Sequence, residues 1–362
     1  MRILYDGGAS NERGAGGIKR YFANLIKRLP PDFEPHLTWC RPKDGTEPAH
    51  PQLRVHRFQR FRPQRVSLKM EKLFFNRVQK VRHFDLAHPT YYTLLTQQEI
   101  SHYRYPVVLT VWDMIHELFP ELDSCGVLAA QKKRAVESAR VVLCISENTK
   151  NDLLTHYKID ENKILVTHLA SDLNSTLIQG SEITPTRRYF LYVGARAGYK
   201  NFERLLSAFS SVAKAAPEVI LCAVGEPFND REKRSIAELG LAGKVENYSR
   251  VSDGLLAALY RDSIALVYPS LYEGFGIPPL EAMQCGTPVV AANRSSIPEV
   301  VGDAAILFDP YHEEELAEIL VALVRQPEIR EPLISRGTKR ASQFSWERTA
   351  QQTLNVYAQL VR

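Results

Sequence analysis

The sequence predicts an α/β protein made of two successive Rossmann-like halves, each with a parallel sheet. Short apolar strands alternate with amphipathic helices along nearly the whole chain. That alternation pauses once, in the polar stretch SDLNSTLIQGSEITPTRR from Ser171 to Arg188, and begins again at Tyr189. At 362 residues the chain is long for one core, which makes two domains the expectation.

In the first half, Arg2–Tyr5 reads as a strand entering the loop Gly7–Gly17, and Ile18–Leu29 as a helix stopped by Pro30 and Pro31. His36–Trp39, Leu86–His88, Val107–Val111, Val141–Ile145 and Ile164–Thr167 read as further strands, and Glu147–His156 as a helix. In the second half, Tyr189–Val193, Val219–Val224, Val245–Asn247 and Ile264–Tyr268 read as strands. Phe202–Ala216, Arg231–Leu239, Leu255–Tyr260, Glu313–Arg325, Glu331–Phe344 and Trp346–Val361 continue the series. The domains expected are 1–175 with the final helix 346–362, and 176–345.

Composition narrows the class. Hydrophobic content of 44% and charged content of 24% are ordinary for a soluble globular chain. The start, MRILYDGG, lacks the apolar core of a signal peptide, and no apolar run approaches the ~20 residues of a membrane helix. Five scattered cysteines without a CxxC point to reduced thiols and a cytoplasmic location. The net charge of +5 is unevenly spread, for between Arg54 and Arg82 ten basic residues are opposed only by Glu71, with apolar residues interleaved. Such a segment reads either as a surface for anionic membranes or polyanions, or as a solvated helix face. Nucleic acid is not an expected partner, since no nucleic-acid motif accompanies the charge.

Two segments carry the chemistry. In LYEGFGIPPLEAMQCGTPV, Leu271–Val289, a strand leads into a loop with Glu273, Gly274, Phe275 and Gly276; Pro278 and Pro279 then open a helix bearing Glu281. Such a strand–loop–helix unit presents backbone amides and a positive dipole end, which suits a phosphate. Two carboxylates beside a diphosphate would repel it on contact, so Glu273 and Glu281 are better placed to accept hydrogen bonds from sugar or ribose hydroxyls. In YFLYVGARAGYKNFERLLSAF, the strand Tyr189–Val193 opens into a loop with Gly194, Arg196 and Lys200. Two cations at one strand end can clamp both phosphates of a nucleotide diphosphate and stabilise it as it leaves.

These segments resemble the nucleotide-sugar glycosyltransferases of family 4. Glu-x7-Glu with this Gly/Pro filling is the signature there, and Gly-x-Arg-x-x-x-Lys matches at Gly194, Arg196 and Lys200. The resemblance implies a GT-B fold: two Rossmann-like domains facing across a cleft that holds the active site, with FSWERTAQQTLNVYAQLV as a last helix crossing back to the first domain. It places Glu273 at the donor sugar and Glu281 on ribose hydroxyls. It also gives Gly16 and Gly17, in the loop Gly14–Ile18, a close approach to the donor, and puts base recognition near Asn247–Ser252, around Arg250 and Val251. No Asp-x-Asp occurs in the chain, so protein cations are expected in place of a metal, with no cofactor. One departure lies in VVLTVWDMIHELFP: many relatives carry His-Asp where this chain has Trp112 and Asp113. Asp113 or His116 then orients the acceptor and Trp112 stacks on a sugar, or all three pack the strand end.

The function implied is retaining hexosyl transfer from a nucleotide diphosphate sugar to a glycan or lipid-linked glycan in polysaccharide biosynthesis. UDP-glucose is slightly favoured as donor, with GDP-mannose close. The alternatives are a sugar-nucleotide epimerase on the same fold and a catalytically silent glycan- or nucleotide-binding partner.

Overall fold

The computed structural model describes all residues except 12–15, 41–47, 97 and 362. The chain forms two compact units, residues 1–169 with 346–362, and residues 170–345.

Among the described residues, seven parallel strands build the first unit: β1 (Arg2–Asp6), β2 (Glu34–Trp39), β3 (Arg54–Arg57), β4 (Leu86–Ala87), β5 (Val108–Val111), β6 (Val141–Cys144) and β7 (Ile164–Val166). The order β3-β2-β1-β4 is carried on to β5-β6-β7 by a parallel bridge from Ala87 to Val107. The helices are α1 (Gly16–Lys27), α2 (Gln64–Val81), the short α3 (Ile115–Leu118), α4 (Val127–Ser138) and α5 (Glu147–His156), whose start is capped by the Ser146 hydroxyl on the Thr149 amide. Leu4, Leu109, Val111, Val142 and Leu143 are fully buried, as expected of strands covered on both faces.

The second unit holds β8 (Tyr189–Val193), β9 (Ile220–Val224), β10 (Val245–Tyr248), β11 (Leu266–Tyr268), β12 (Val289–Ala292) and β13 (Ile306–Phe308). All pair in parallel, in the order β10-β9-β8-β11-β12-β13. This is the doubly wound order, with its topological switch point between β8 and β11. Its helices are α6 (Phe202–Ala215), α7 (Asp230–Glu238), α8 (Asp253–Asp262), α9 (Ile277–Gln284), α10 (Ile297–Val301), α11 (Glu313–Arg325) and α12 (Arg330–Ala341). α6 buries Phe202, Leu205, Leu206, Phe209 and Val212, one face at helical spacing.

The last helix, α13 (Trp346–Leu360), belongs to the first unit. Its buried Tyr357 hydroxyl lies 2.6 Å from His88 Nδ1 and 3.3 Å from the Tyr5 hydroxyl, and Glu347 pairs with Arg28 of α1 at 2.8 Å.

The first unit ends at Leu169, a few residues before the boundary read from the sequence. The reason is local: Leu169, Ala170, Ser171 and Leu173 are buried, so the polar-looking stretch is packed where it begins. Gln284 of α9 donates to the Ser171 carbonyl at 3.1 Å.

Candidate functional site: the switch point of the second unit

The loops after β8 and β11 meet at the switch point. Asn201, in the left-handed conformation at φ 58°, donates from its side chain to the Pro269 carbonyl at 3.2 Å and the Pro310 carbonyl at 3.1 Å. The Leu271 amide donates to the Tyr199 carbonyl at 2.8 Å. These bonds place Lys200 against Glu273, with Lys200 Nζ 2.7 and 2.8 Å from the two carboxylate oxygens. The pair is mostly buried, at 16% and 9% side-chain exposure. A bidentate pair at that burial is strong but costly to leave half-made.

The Glu273 loop is fixed from behind. The Glu273 amide donates to Ser295 Oγ at 2.9 Å, and the buried Ser296 hydroxyl shares its one proton between the Glu273 and Phe275 carbonyls, both at 2.8 Å. Gly276 then turns into α9 at φ 114°, a conformation that favours glycine. On α9, Glu281 is buried and accepts from the Tyr260 hydroxyl at 3.0 Å. Burial, and then the Glu281 charge, hold the Tyr260 phenol well above its usual pKa, so it stays a donor.

Arg196 lies beside Glu232 of α7, with Nε 2.7 Å from the carboxylate, and Nη2 donates to the Glu226 carbonyl at 2.6 Å. Its guanidinium stacks over Phe228 at 4.9 Å. Nη1 is buried without a hydrogen-bond partner. It faces Gly225, where an added Cβ would stand 3.0 Å from Nη1 and 2.6 Å from the Gly194 carbonyl oxygen. Only glycine fits that close approach of the β8 and β9 loops. The Asn247 side chain donates to the Ala223 and Glu226 carbonyls at 3.1 Å, tying the end of β10 to the same loop. Arg250, at φ 56°, is exposed just beyond, and Val251 is half-buried.

In the first unit the candidates separate. Trp112 is buried, its ring edge-on to Tyr21 at 5.0 Å and Phe22 at 6.0 Å. Its ring packs the end of β5 against α1. Asp113 is part-exposed and its carboxylate caps the Ile115 amide at 3.1 Å. His116 is half-buried in α3, with Nδ1 buried and unpartnered. Fully buried Lys132 of α4 donates to the Asp113 carbonyl at 2.9 Å and to Glu117 at 2.7 Å, and lies 3.6 Å from the Asp113 carboxylate. Gly16 and Gly17 are exposed at the start of α1; Gly14 and Ala15 lie outside the described residues.

A family model described as Glycosyltransferase Family 4 matches residues 15–175, and one described as Glycosyl transferases group 1 matches residues 174–340. Together they run unbroken across both units. The chain belongs to the family-4 glycosyltransferases. It is 32% identical over 235 residues to O-antigen chain mannosyltransferase B of Escherichia coli, covering 62% of this chain and 61% of that one. It is 34% identical over 235 residues to the MMP alpha-(1->4)-mannosyltransferase of Mycolicibacterium hassiacum, covering 64% and 56%. The matches thus span about three fifths of the length of these curated relatives. Among solved structures, sucrose-phosphate synthase from Thermosynechococcus elongatus superposes with a TM-score of 0.79 at 21% identity, covering 99% of each chain. Anabaena HepE, solved in complex with UDP-glucose, superposes with a TM-score of 0.75 at 20% identity, covering 99% of this chain and 100% of that one. At such identities the likeness speaks for the fold, which is GT-B.

Sequence reasoning missed several residues that hold the signature side chains of this chain. Glu232 was visible only as the third position of a capping box with Asn229, a signal for a helix start rather than for an Arg196 partner. Ser295, Ser296 and Tyr260 carry no local signal, because they reach Glu273 and Glu281 from separate elements. Lys132 sits in an ordinary-looking helix, and its buried position follows only from the packing of α4 against the end of β5.

Proposed function

We propose that this protein transfers a hexose, with retention and without a metal, from a nucleotide diphosphate sugar to a glycan or lipid-linked glycan on the cytoplasmic side. The observation that carries the reading is the meeting of Lys200 and Glu273 at the switch point. A cation suited to the leaving diphosphate and a carboxylate suited to sugar hydroxyls then stand side by side. Arg196, with Nη1 unpartnered and Glu232 fixing its plane, is set to receive a phosphate oxygen.

In this reading the diphosphate takes Lys200 and Arg196 as partners, and Glu273 turns from Lys200 to the hexose hydroxyls. Glu281, steadied by Tyr260, accepts from the ribose. The backbone around Gly274, Phe275 and Gly276 faces the phosphates, and Gly194, Arg250 and Val251 border the nucleotide. Gly16 and Gly17, without side chains, allow close approach of a donor to the start of α1. Asp113, held by Lys132, orients the acceptor. As the bond to the anomeric carbon breaks, the departing phosphate oxygen takes the acceptor proton on the same face, so no enzyme base is needed at Trp112. Cations already aimed at the developing charge supply the main stabilisation.

Both relatives quoted above are mannosyltransferases by name, which moves the preferred donor from UDP-glucose to a mannose donor such as GDP-mannose. A thermal-shift panel of nucleotide sugars, followed by donor turnover without acceptor, tests the reading. Slow release of free sugar from one donor supports a transferase. Epimerised nucleotide sugar would establish an epimerase instead, and tight binding with no turnover, with or without glycan acceptors, would establish a silent binding partner.

A further inference from the structure

The basic stretch 54–82 divides into two parts with different fates. Arg57, in the edge strand β3, is half-buried, and Arg60 is locked to Glu71, with Nε 2.6 Å and Nη2 2.9 Å from its carboxylate. Glu71 is 2% exposed, on the inward face of α2 with Ser67, Phe75 and Val78. The one acid of the stretch is therefore turned inward and neutralised, and α2 offers solvent no negative charge.

The outward face is unlike an ordinary solvated helix. Val66, Met70 and Leu73, spaced i, i+4 and i+7, form a ridge opposite the buried face, exposed at 47%, 49% and 69%. Phe61, 43% exposed, lies just before the helix. Arg65, Lys69 and Lys72 are exposed along one flank, Arg77 and Lys80 continue the ridge line, and Arg62 precedes it. A solvated face would carry mixed charges and few large apolar groups. An apolar ridge rimmed by cations alone is the pattern of a helix lying in a lipid interface, with the ridge among acyl chains and the cations at headgroup level. α2 follows the carboxyl end of β3, so the ridge occupies its amino-terminal half, at the end of the first sheet where the loops after β1, β4 and β5 also emerge.

We propose that α2, with Phe61 and Arg62, is a docking element for an anionic lipid surface. The occupant follows from the charge: a neutral surface leaves six cations without partners, and an acidic protein patch leaves the Val66–Met70–Leu73 ridge without an apolar depth to enter. Attraction of the cations is salt-sensitive, since the screening length is ~8 Å at physiological ionic strength. Insertion of the ridge is not.

The test uses the full chain with vesicles of phosphatidylglycerol and phosphatidylcholine, or of phosphatidylcholine alone, and does not depend on catalysis. The expected result is cosedimentation with the anionic vesicles and at least about tenfold less with neutral ones. Replacing Arg62, Arg65, Lys69 and Lys72 with Gln should lower anionic-vesicle partitioning by at least about tenfold. Met70→Ser with Leu73→Ser should lower it several-fold and remove what persists at high salt. All six positions are exposed, so thermal midpoints should hold. In a Leu73→Trp variant the emission should shift to the blue on anionic vesicles; the native Trp39, Trp112 and Trp346 are buried and give a steady background. Equal partitioning on both vesicles, none on either, an unshifted emission in the Leu73→Trp variant, or a concentration-dependent dimer abolished by Leu73→Ser would each overturn the proposal.

Discussion

The two sheets share a winding plan but use their switch points differently. In the second unit the crossing between β8 and β11 holds mostly buried ion pairs, Lys200 on Glu273, with Arg196 on Glu232 nearby. In the first unit the crossing between β1 and β4 is sealed. His88, just after β4, is fully buried, between the Tyr357 hydroxyl at 2.6 Å and the Thr110 hydroxyl at 2.8 Å. Asp6, at the end of β1, is fully buried and accepts from the Leu95 amide at 2.9 Å. The difference comes from α13, which returns to the first unit and fills its crossing with Tyr357. Topology creates a crevice at a switch point; what packs into that crevice decides whether it becomes a site or a core.

The largest expected effect breaks the second crossing. Arg196→Ala or Lys200→Ala should lower kcat by roughly 10²–10³-fold, the scale for one lost partner of developing charge. Steady-state kinetics on the donor identified by the panel checks this, and near-normal turnover in both variants would remove the diphosphate assignment.

Next comes the first crossing, read through pH. Burial lowers the His88 pKa from its usual 6.5 to about 3, so the folded protein holds His88 neutral where the unfolded chain binds a proton. Its stabilising contribution is complete above about pH 6.5 and is lost as pH falls, by about 2 kcal/mol between pH 7 and 5. Burial raises the Asp6 pKa from 3.8 to about 7, with the opposite sign: its folded form keeps a proton, so stability falls as pH rises from about 4 to 7. Thermal midpoints across pH 4–8 should therefore show a shallower acid slope in His88→Gln and a shallower slope toward neutral pH in Asp6→Asn. Slopes identical to the parent in both variants would mean that neither group is titrating as its burial dictates.

A similar magnitude is expected at Glu281. Glu281→Ala should weaken nucleotide binding by about 1–3 kcal/mol, the range for unpaired hydrogen-bonding groups. Glu273→Ala should act on sugar-nucleotide turnover more than on affinity for the free nucleotide. Calorimetry with nucleotide and with sugar nucleotide separates the two, and unchanged donor kinetics in both variants would end the reading of the paired carboxylates.

The smallest effect is a predicted null. Turnover should persist in EDTA if, as proposed, Lys200 and Arg196 take the diphosphate in place of a metal. Loss in EDTA restored by Mg²⁺ or Mn²⁺ would contradict it.

The sequence by itself determined the alternation of strands and helices and the identity of the signature side chains. Apolar runs such as YFLYV and ILCAV leave a buried strand little choice, and the Gly/Pro filling around Glu273 and Glu281 is dictated by backbone conformation, as Gly276 at φ 114° shows. The weakly patterned elements escaped it: β3 is an edge strand of alternating basic residues, β12 is a four-residue strand that begins at the last residue of the signature segment, and β13 is three residues long. Tertiary structure alone decided who pairs with whom. Lys200 meets Glu273 across 73 residues of chain, Arg196 meets Glu232 across 36, and His88 meets Tyr357 across 269. Local periodicity encodes which face of an element is apolar, whereas a pairing between distant side chains exists only once parallel strands set two loops side by side. The same limit applies to Trp112 and Glu71, whose burial no local pattern announces. Trp112 is buried against Tyr21 and Phe22 of α1, and Glu71 is buried in its pair with Arg60.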